Sequence, residues 1–272
     1  MQFISSTSND KIKRTALYSL KASARKEDGV FIAEGTKLVI ESPGEMVREI
    51  FISESCLAEL ESPKGDLHDK FKALAAVLPE DAIIKVSDHV FEKISSQKSP
   101  QGMLAVIRTL SYKKEDITKG NALILILEDI QDPGNVGTIF RTAEAAGVTG
   151  ILLSEGCADP LSPKVVRSSM GAIFRMPFVI TPDLPGEVEA LEKEGIACYA
   201  ARLDAASEYD KCDLTSPSAL LIGNEGNGLS REVTAAASKG IFIPMSGKTE
   251  SLNAAVSASI LSYEAARQRR NV

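Results

Sequence analysis

A chain of 272 residues can form one large domain or two ordinary ones, and either is long enough to bury a core. Its 44% hydrophobic and 25% charged content is that of a globular protein, and a net charge of −6 excludes a surface coated in basic patches. Cys56, Cys157, Cys198 and Cys212 are widely spaced with no Cys-x-x-Cys, which argues against a disulfide framework or zinc ribbon and for a reducing compartment. No apolar run approaches membrane-spanning length and no apolar segment follows a basic start. A cytoplasmic protein with no membrane partner is therefore expected.

The charge is unevenly placed. Lys11, Lys13, Arg14, Lys21, Arg25 and Lys26 stand against Asp10 alone in residues 1–26, and Arg267, Arg269 and Arg270 close the chain. A solvated helix face and tail account for this as well as a binding surface does.

In chain order, residues 8–26 read as a surface helix with Ile12, Leu17 and Leu20 as its apolar stripe. Short alternating units follow: strand Phe31–Ala33, helix Thr36–Glu41, strand Val47–Ser53, then Ala58–Ala76, helical but broken near Pro63-Lys64-Gly65. Strand Ile83–Val86, helix Asp88–Ser95 and strand Met103–Arg108 complete a compact α/β domain over 1–110. The polar stretch 111–121 reads as a linker to a second domain, 122–272.

That domain opens with the apolar run Ala122–Leu127, the pattern of a central strand buried on both faces. Helix 136–146 with Gly147 as its C-cap, strand 151–153, helix 163–170 after Ser162-Pro163, and strand 177–180 come next. Helix 187–194 and strands 197–201, 219–222 and 241–243 follow, the last ended by Pro244. Strands alternating with helices predict a mostly parallel sheet with helices on both faces. The final helix carries Leu252, Val256, Ile260 and Tyr263 as its apolar stripe, Ser251 as its N-cap, and small residues (Ala254, Ala255, Ser257, Ala258, Ser259) on the rest of its surface.

In such sheets ligands bind beyond the carboxyl ends of the strands. After Leu127, Asn135 is a candidate cap, Gly137 permits close backbone approach, and Arg141, near a helix N-terminus, needs an anionic partner, either a phosphate or Glu144. After Ile222, Gly223-Asn224-Glu225-Gly226-Asn227-Gly228 is neither a Walker loop nor Gly-x-Gly-x-x-Gly, and Glu225 suits a cation or hydroxyl better than a phosphate. An oxidoreductase of the dinucleotide-binding class is disfavoured for the same reason. After Ile243, a polar loop leads to Ser251-Leu252-Asn253.

Together these loops resemble the SpoU/TrmH branch of the SPOUT RNA 2′-O-ribose methyltransferases. The matching elements are Asn-x-Gly-x-x-x-Arg (Asn135, Gly137, Arg141), Gly-x-Glu-Gly-x-Gly (Gly223, Glu225, Gly226, Gly228) and Pro-Met-x-Gly followed by Ser-Leu-Asn (Pro244, Met245, Gly247, Ser251, Leu252, Asn253). Residues 30–107 resemble the ribosomal-protein-L30e-like substrate-binding domain carried by many members. The resemblance implies a deep trefoil knot, a homodimer through the C-terminal domain, and S-adenosylmethionine bound around Gly223, Gly228, Ile243, Met245 and Leu252. It implies Arg141 as the activating group, with Asn135, Glu225, Ser251 and Asn253 in support, and no metal. Arg141 can act as a base or, more easily for a group with pKa above about 12, as a holder of phosphate and developing alkoxide. RNA, with ribosomal favoured over transfer RNA, is expected on Lys11, Lys13, Arg14 and Arg141. A tRNA methyltransferase and a catalytically silent RNA-binding scaffold are the alternatives.

Overall fold

The computed structural model describes residues 1–61 and 66–270. The break expected near Pro63-Lys64-Gly65 lies outside the described residues. The chain divides into two units, one of Met1–Leu110 with Leu161–Phe174, the other of Ser111–Pro160 with Arg175–Val272.

In the first unit the sequence runs through β1 (Gln2–Ile4), α1 (Asp10–Leu20), α2 (Ala22–Asp28), β2 (Val30–Glu34), α3 (Thr36–Ile40) and β3 (Val47–Ser53). It continues through α4 (Glu54–Glu61), α5 (Asp66–Val77), β4 (Ile83–Val86), α6 (Asp88–Ile94) and β5 (Met103–Arg108). The five strands form one mixed sheet in the order β1-β4-β3-β5-β2. Edge strand β1 escapes a pattern search because it has three residues, of which only Ile4 is buried. The helix expected over 8–26 is two, since Lys21 adopts extended backbone (φ −122, ψ 120). That break turns Arg25 inward, where it is 5% exposed and its Nη1 donates to the Tyr18 carbonyl.

The second unit contains α7 (Lys114–Ile117), β6 (Leu123–Leu127), α8 (Pro133–Ala146) and β7 (Gly150–Ser154). The chain then contributes α9 (Pro163–Ser168) to the first unit, where it packs on β2. Back in the second unit come β8 (Phe178–Thr181), α10 (Leu184–Lys193), β9 (Ala197–Ala201), β10 (Ser207–Glu208), β11 (Ser218–Ile222), α11 (Arg231–Ala236), β12 (Lys239–Phe242) and α12 (Ala254–Arg269). Residues 111–121, expected as a linker, lie within this unit, and Ile117 is fully buried in its core. The polarity of that stretch belongs to its exposed residues; one apolar side chain anchors it.

Seven strands make one sheet in the order β10-β12-β9-β11-β6-β7-β8, and every pairing is parallel. All of β6 is buried, which is why five consecutive apolar residues form a strand without alternation. One face is covered by α10 and α11, whose Leu184, Val188, Leu191 and Val233 join Ile124, Ile126 and Leu221 in a single cluster. Outside that cluster, α8 packs on α12 and α12 on β11.

The side of α12 that packs is the face of small residues, with Leu261, and not the stripe of large apolar ones. Ala254, Ala255, Ala258, Leu261, Ser262 and Ala265 are buried, whereas Val256 and Tyr263 are 46% and 51% exposed. Small residues let the helix lie close to its neighbours, so the inward face is the Ala/Ser face. Arg269, near the end of α12, is a fastener and not part of a free basic tail. Its guanidinium donates to the carbonyls of Leu214 (2.8 Å), Asn121 (2.7 Å), Ala122 (3.0 Å) and Ser216 (2.7 Å), at the entrances of β6 and β11. With no carboxylate among these partners, burial pushes its pKa down from the usual arginine value.

Arg269→Ala strands those carbonyls and should lower unfolding free energy by about 2 kcal/mol in urea titrations. Arg269→Lys should recover only part of the loss, because one ammonium cannot span the same fork.

Candidate active site

The order β12-β9-β11-β6 sets side by side strands that are far apart in sequence. Their carboxyl ends therefore deliver four loops to one edge. A cavity of about 630 Å³ lies there, lined by Ala201–Asp204 after β9, Ile222–Leu229 after β11, and Ile241–Ile243 and Met245 from β12 onward. Its remaining wall comes from Arg231 and Thr234 of α11, from Glu250, Ser251 and Leu252, and from one face of α12. That volume suits a nucleoside-sized ligand. All five residues expected at the cofactor, Gly223, Gly228, Ile243, Met245 and Leu252, line it, as do Glu225 and Ser251.

The loop after β11 is shaped by backbone contact. A Cβ on Gly223 would sit 2.2 Å from the Gly228 carbonyl carbon and the Leu229 nitrogen. Asn224 and Gly228 exchange backbone hydrogen bonds (3.1 and 2.9 Å), and Gly228 takes φ +69 to close the turn. Glu225 is thereby presented at the tip of a tight lasso.

The expected support residues meet in one chain of hydrogen bonds. Asn253 Oδ1 caps α12 by accepting from the N–H groups of Ala255 (2.9 Å) and Val256 (3.3 Å). Asn253 Nδ2 donates to Asn135 Oδ1 (3.0 Å), and Asn135 Nδ2 donates to Glu225 Oε1 (2.7 Å). Both ends fix the direction: a backbone N–H can only donate and an ionised carboxylate can only accept. Each amide thus has one orientation that satisfies the whole chain.

Two expected caps move. Asn253, not Ser251, caps α12, and Asp132, not Asn135, caps α8, accepting from the Asn135 N–H at 2.9 Å. Asn135, expected to act locally, instead reaches across to Glu225 and Asn253. Because α8 begins at Pro133, Arg141 lies in the helix interior, where the helix dipole no longer disfavours it. Arg141 is exposed, and its side chain makes no hydrogen bond or ion pair to another described residue. Glu144, its candidate partner, is taken by Arg175, which donates through Nε and through Nη2 (3.0 Å) and holds the Glu144 carboxyl below the usual range.

The β9 exit escaped the sequence reading. Arg202 and Asp204 pair there (2.9 Å) and line the cavity with Arg231 of α11. Position at a parallel strand's carboxyl end was the available signal. In the first unit the predicted RNA contacts already have carboxylate partners. Lys11 meets Glu49 at 2.6 Å, Lys13 meets Asp10 at 3.3 Å, and Arg14 meets Glu27 and Asp28 at 2.9 and 2.7 Å. The Arg14 guanidinium, helped by the Tyr18 hydroxyl, holds Asp28 far below the ordinary carboxylate range.

Burial pushes all four thiols up, Cys198 to about 12, so none is activated as a nucleophile. Among the described residues no cluster of metal-ligating side chains is found, and no helix is long and apolar enough to cross a membrane.

A parallel sheet with a ligand cavity and a convergent polar chain at its carboxyl edge defines an α/β enzyme of nucleoside-ligand type. Residues 122–263 match the SpoU rRNA Methylase family and residues 9–105 the MRM3-like substrate binding domain. The 23S rRNA (guanosine(2553)-2′-O)-methyltransferase RlmP of Bacillus subtilis is 33% identical over 266 residues, covering 97% of this chain and 98% of that protein. A crystal structure of an RNA 2′-O ribose methyltransferase superposes with a TM-score of 0.81 at 29% identity, covering 99% of this chain and 100% of that one. An AdoMet-bound rRNA methyltransferase from Sinorhizobium meliloti gives 0.80 at 27% identity, covering 98% and 97%. The chain belongs to the SpoU rRNA methylase family, and the activity that accompanies membership is methyl transfer to RNA.

Gly223→Ala should force the lasso open and cost about 1–3 kcal/mol in urea unfolding. Gly226→Ala, whose added Cβ would meet only Asn224 Oδ1 at 3.5 Å, should stay within about 0.5 kcal/mol of the parent.

Proposed function

We propose that this protein transfers the methyl group of S-adenosylmethionine to a ribose 2′-OH of ribosomal RNA. The observation that carries the reading is the Asn253–Asn135–Glu225 chain, which ends on a carboxylate that lines the cavity. The cofactor fits on two counts. Apolar Ile222, Ile241, Ile243, Leu252 and Leu261 can enclose an adenosine, and Glu225 and Glu250 supply negative charge for a cationic ligand, Asp204 being paired with Arg202. Residues around Gly223, Gly228, Ile243, Met245 and Leu252 would hold it, and its sulfonium supplies an already activated methyl group.

The residues of this chain then have to orient a hydroxyl and ease loss of its proton. Glu225 donates none of its own hydrogen bonds and takes one from Asn135 at Oε1, which leaves acceptor capacity for a ribose hydroxyl. Ser251, exposed on the cavity wall, would bind the same sugar. Arg141 supplies a charge with no competing carboxylate, either to hold the neighbouring phosphate and the developing alkoxide or to take the proton itself. The first role is easier for a guanidinium. Lys11, Lys13 and Arg14 would add phosphate contacts by exchanging carboxylate partners, since exposed ion pairs hold their members weakly. Full-length similarity to an rRNA enzyme favours ribosomal over transfer RNA as substrate. Free cysteines at Cys56, Cys157, Cys198 and Cys212 favour the cytoplasm.

The exposed stripe of α12, Val256 and Tyr263, supports a homodimer through the C-terminal unit, and the deep knot belongs to the same proposal. Sedimentation should show a dimer that Val256→Glu with Tyr263→Glu converts to a monomer. A monomeric parent at micromolar concentration would refute the interface.

Incubation with S-adenosylmethionine and separate rRNA and tRNA fractions, followed by mapping of 2′-O-methyl sites, tests the substrate. A base-methylated or tRNA-only product would overturn the assignment. Arg141→Ala should lower single-turnover rates by about 10²–10⁴ while leaving cofactor affinity nearly unchanged, because Arg141 is absent from the cavity wall. A near-normal rate in that variant would remove Arg141 from the mechanism.

A further inference from the structure

Glu225 has a neighbour whose side chain the reaction scheme leaves without a task. Asn224 Oδ1 accepts from the N–H groups of Gly226 (2.9 Å) and Asn227 (3.0 Å), the two residues that follow Glu225 at the lasso tip. Its Nδ2 leaves the loop altogether and donates to the Asp129 carbonyl at 2.8 Å. Asp129 lies at the exit of β6, six residues before Asn135 in the same loop-to-helix segment. Two successive residues of the lasso, Asn224 and Glu225, are therefore bonded to two points on one neighbouring segment, Asp129 and Asn135.

Asp129 is itself held under strain. It is one of two described non-glycine residues with positive φ, at φ 53. Its N–H donates to Ser154 Oγ (2.9 Å), and that hydroxyl donates to Asp129 Oδ1 (2.6 Å). The neighbouring Glu128 accepts from the Ser230 N–H at 2.8 Å, tying down the far end of the same loop. With Ser230 anchored already, the Asn224–Asp129 bond is what remains to set the near end.

We infer that Asn224 is a positioning residue for methyl transfer: through the Asp129 carbonyl it places Glu225 within reach of Asn135 and aims its carboxylate at the ribose hydroxyl. The inference rests on the proposed function, in which Glu225 meets that hydroxyl. The requirement is for a donor on Nδ2 together with an acceptor on Oδ1, which an amide satisfies and a carboxylate does not. Asn224 does not touch the reacting atoms. It acts through Glu225, by fixing the tip of a loop that is otherwise exposed.

Asn224→Asp keeps the acceptor for Gly226 and Asn227 and turns the donor into an oxygen facing the Asp129 carbonyl. Single-turnover methylation should fall about 10- to 100-fold, the scale of a misplaced reacting group, when measured at saturating S-adenosylmethionine, since Asn224 itself lines the cavity. In a Glu225→Ala background the same substitution should add less than about threefold, because its route of action has been removed. Ser154→Ala, which frees Asp129 without touching the cavity wall, should lower the rate in the same direction by a smaller factor. It decides the matter if Asn224→Asp does not fold. An Asn224→Asp rate within twofold of the parent would overturn the inference. So would an equal loss in the Glu225→Ala background or an unchanged Ser154→Ala rate. A parent protein that binds no S-adenosylmethionine or leaves rRNA unmethylated would instead overturn the function on which it rests.

Discussion

The candidate site depends on a hydrogen-bonded chain whose members come from the starts of two helices and the tip of one loop. Asn253 closes the first turn of α12, passes a donor to Asn135 on α8, and Asn135 passes one to Glu225. The orphan N–H groups of a helix N-terminus are thereby coupled, through two amides, to a carboxylate at the cavity. Because the amides cannot reverse without leaving a donor facing a donor, the chain fixes distance and polarity together. The sheet order makes this possible. With β11 paired to β6, the loop after one and the helix after the other begin side by side, although their residues are 90 apart in sequence.

The rigid parts of the second unit lie beneath that chain. The five buried residues of β6 and the Arg269 fork hold the strands and the end of α12, so a polar, partly exposed constellation rests on a scaffold that does not share its exposure. The division suits a transferase that must admit a large polymer at one edge. Hydrogen bonds near solvent can be remade around a ribose, whereas the strands that aim them cannot shift.

Residue type and spacing located the strand-exit loops, and the family resemblance then singled out the site residues on them. Gly223, Glu225 and Gly228 lie in a strand-to-helix loop, and the all-apolar run Leu123–Leu127 announces a central parallel strand, so the edge where the residues converge followed from the order of elements. What was illegible depended on partners far along the chain. Local rules put caps on Ser251 and Asn135, but Asn253 and Asp132 take those places, and Asn135 is released to bridge α12 and the lasso. Arg269 resembled a solvated tail until the carbonyls of Leu214, Ser216, Asn121 and Ala122 surrounded it. Lys11, Lys13 and Arg14 were visible as charge, but no periodicity could reveal that Glu49, Asp10, Glu27 and Asp28 face them. The excursion of Leu161–Phe174 into the first unit leaves no compositional trace either.

The packing of α12 runs against the usual sense of amphipathicity. A stripe of large apolar residues is ordinarily the buried one, yet here Ala254, Ala255, Ala258 and Ala265 face inward and Val256 and Tyr263 outward. Two demands compete on this helix. Its first turn must come close enough to α8 for Asn253 to reach Asn135 at 3.0 Å, and Ser259 meets Thr142 at 3.2 Å further along. Larger inward side chains would hold the helices apart and break the chain at its first link. Small residues inside are thus a condition of the polar relay, and the apolar residues displaced to the outer face are available for association with a second copy. In this fold, the proposed site and the proposed dimer interface would draw on opposite sides of the same helix.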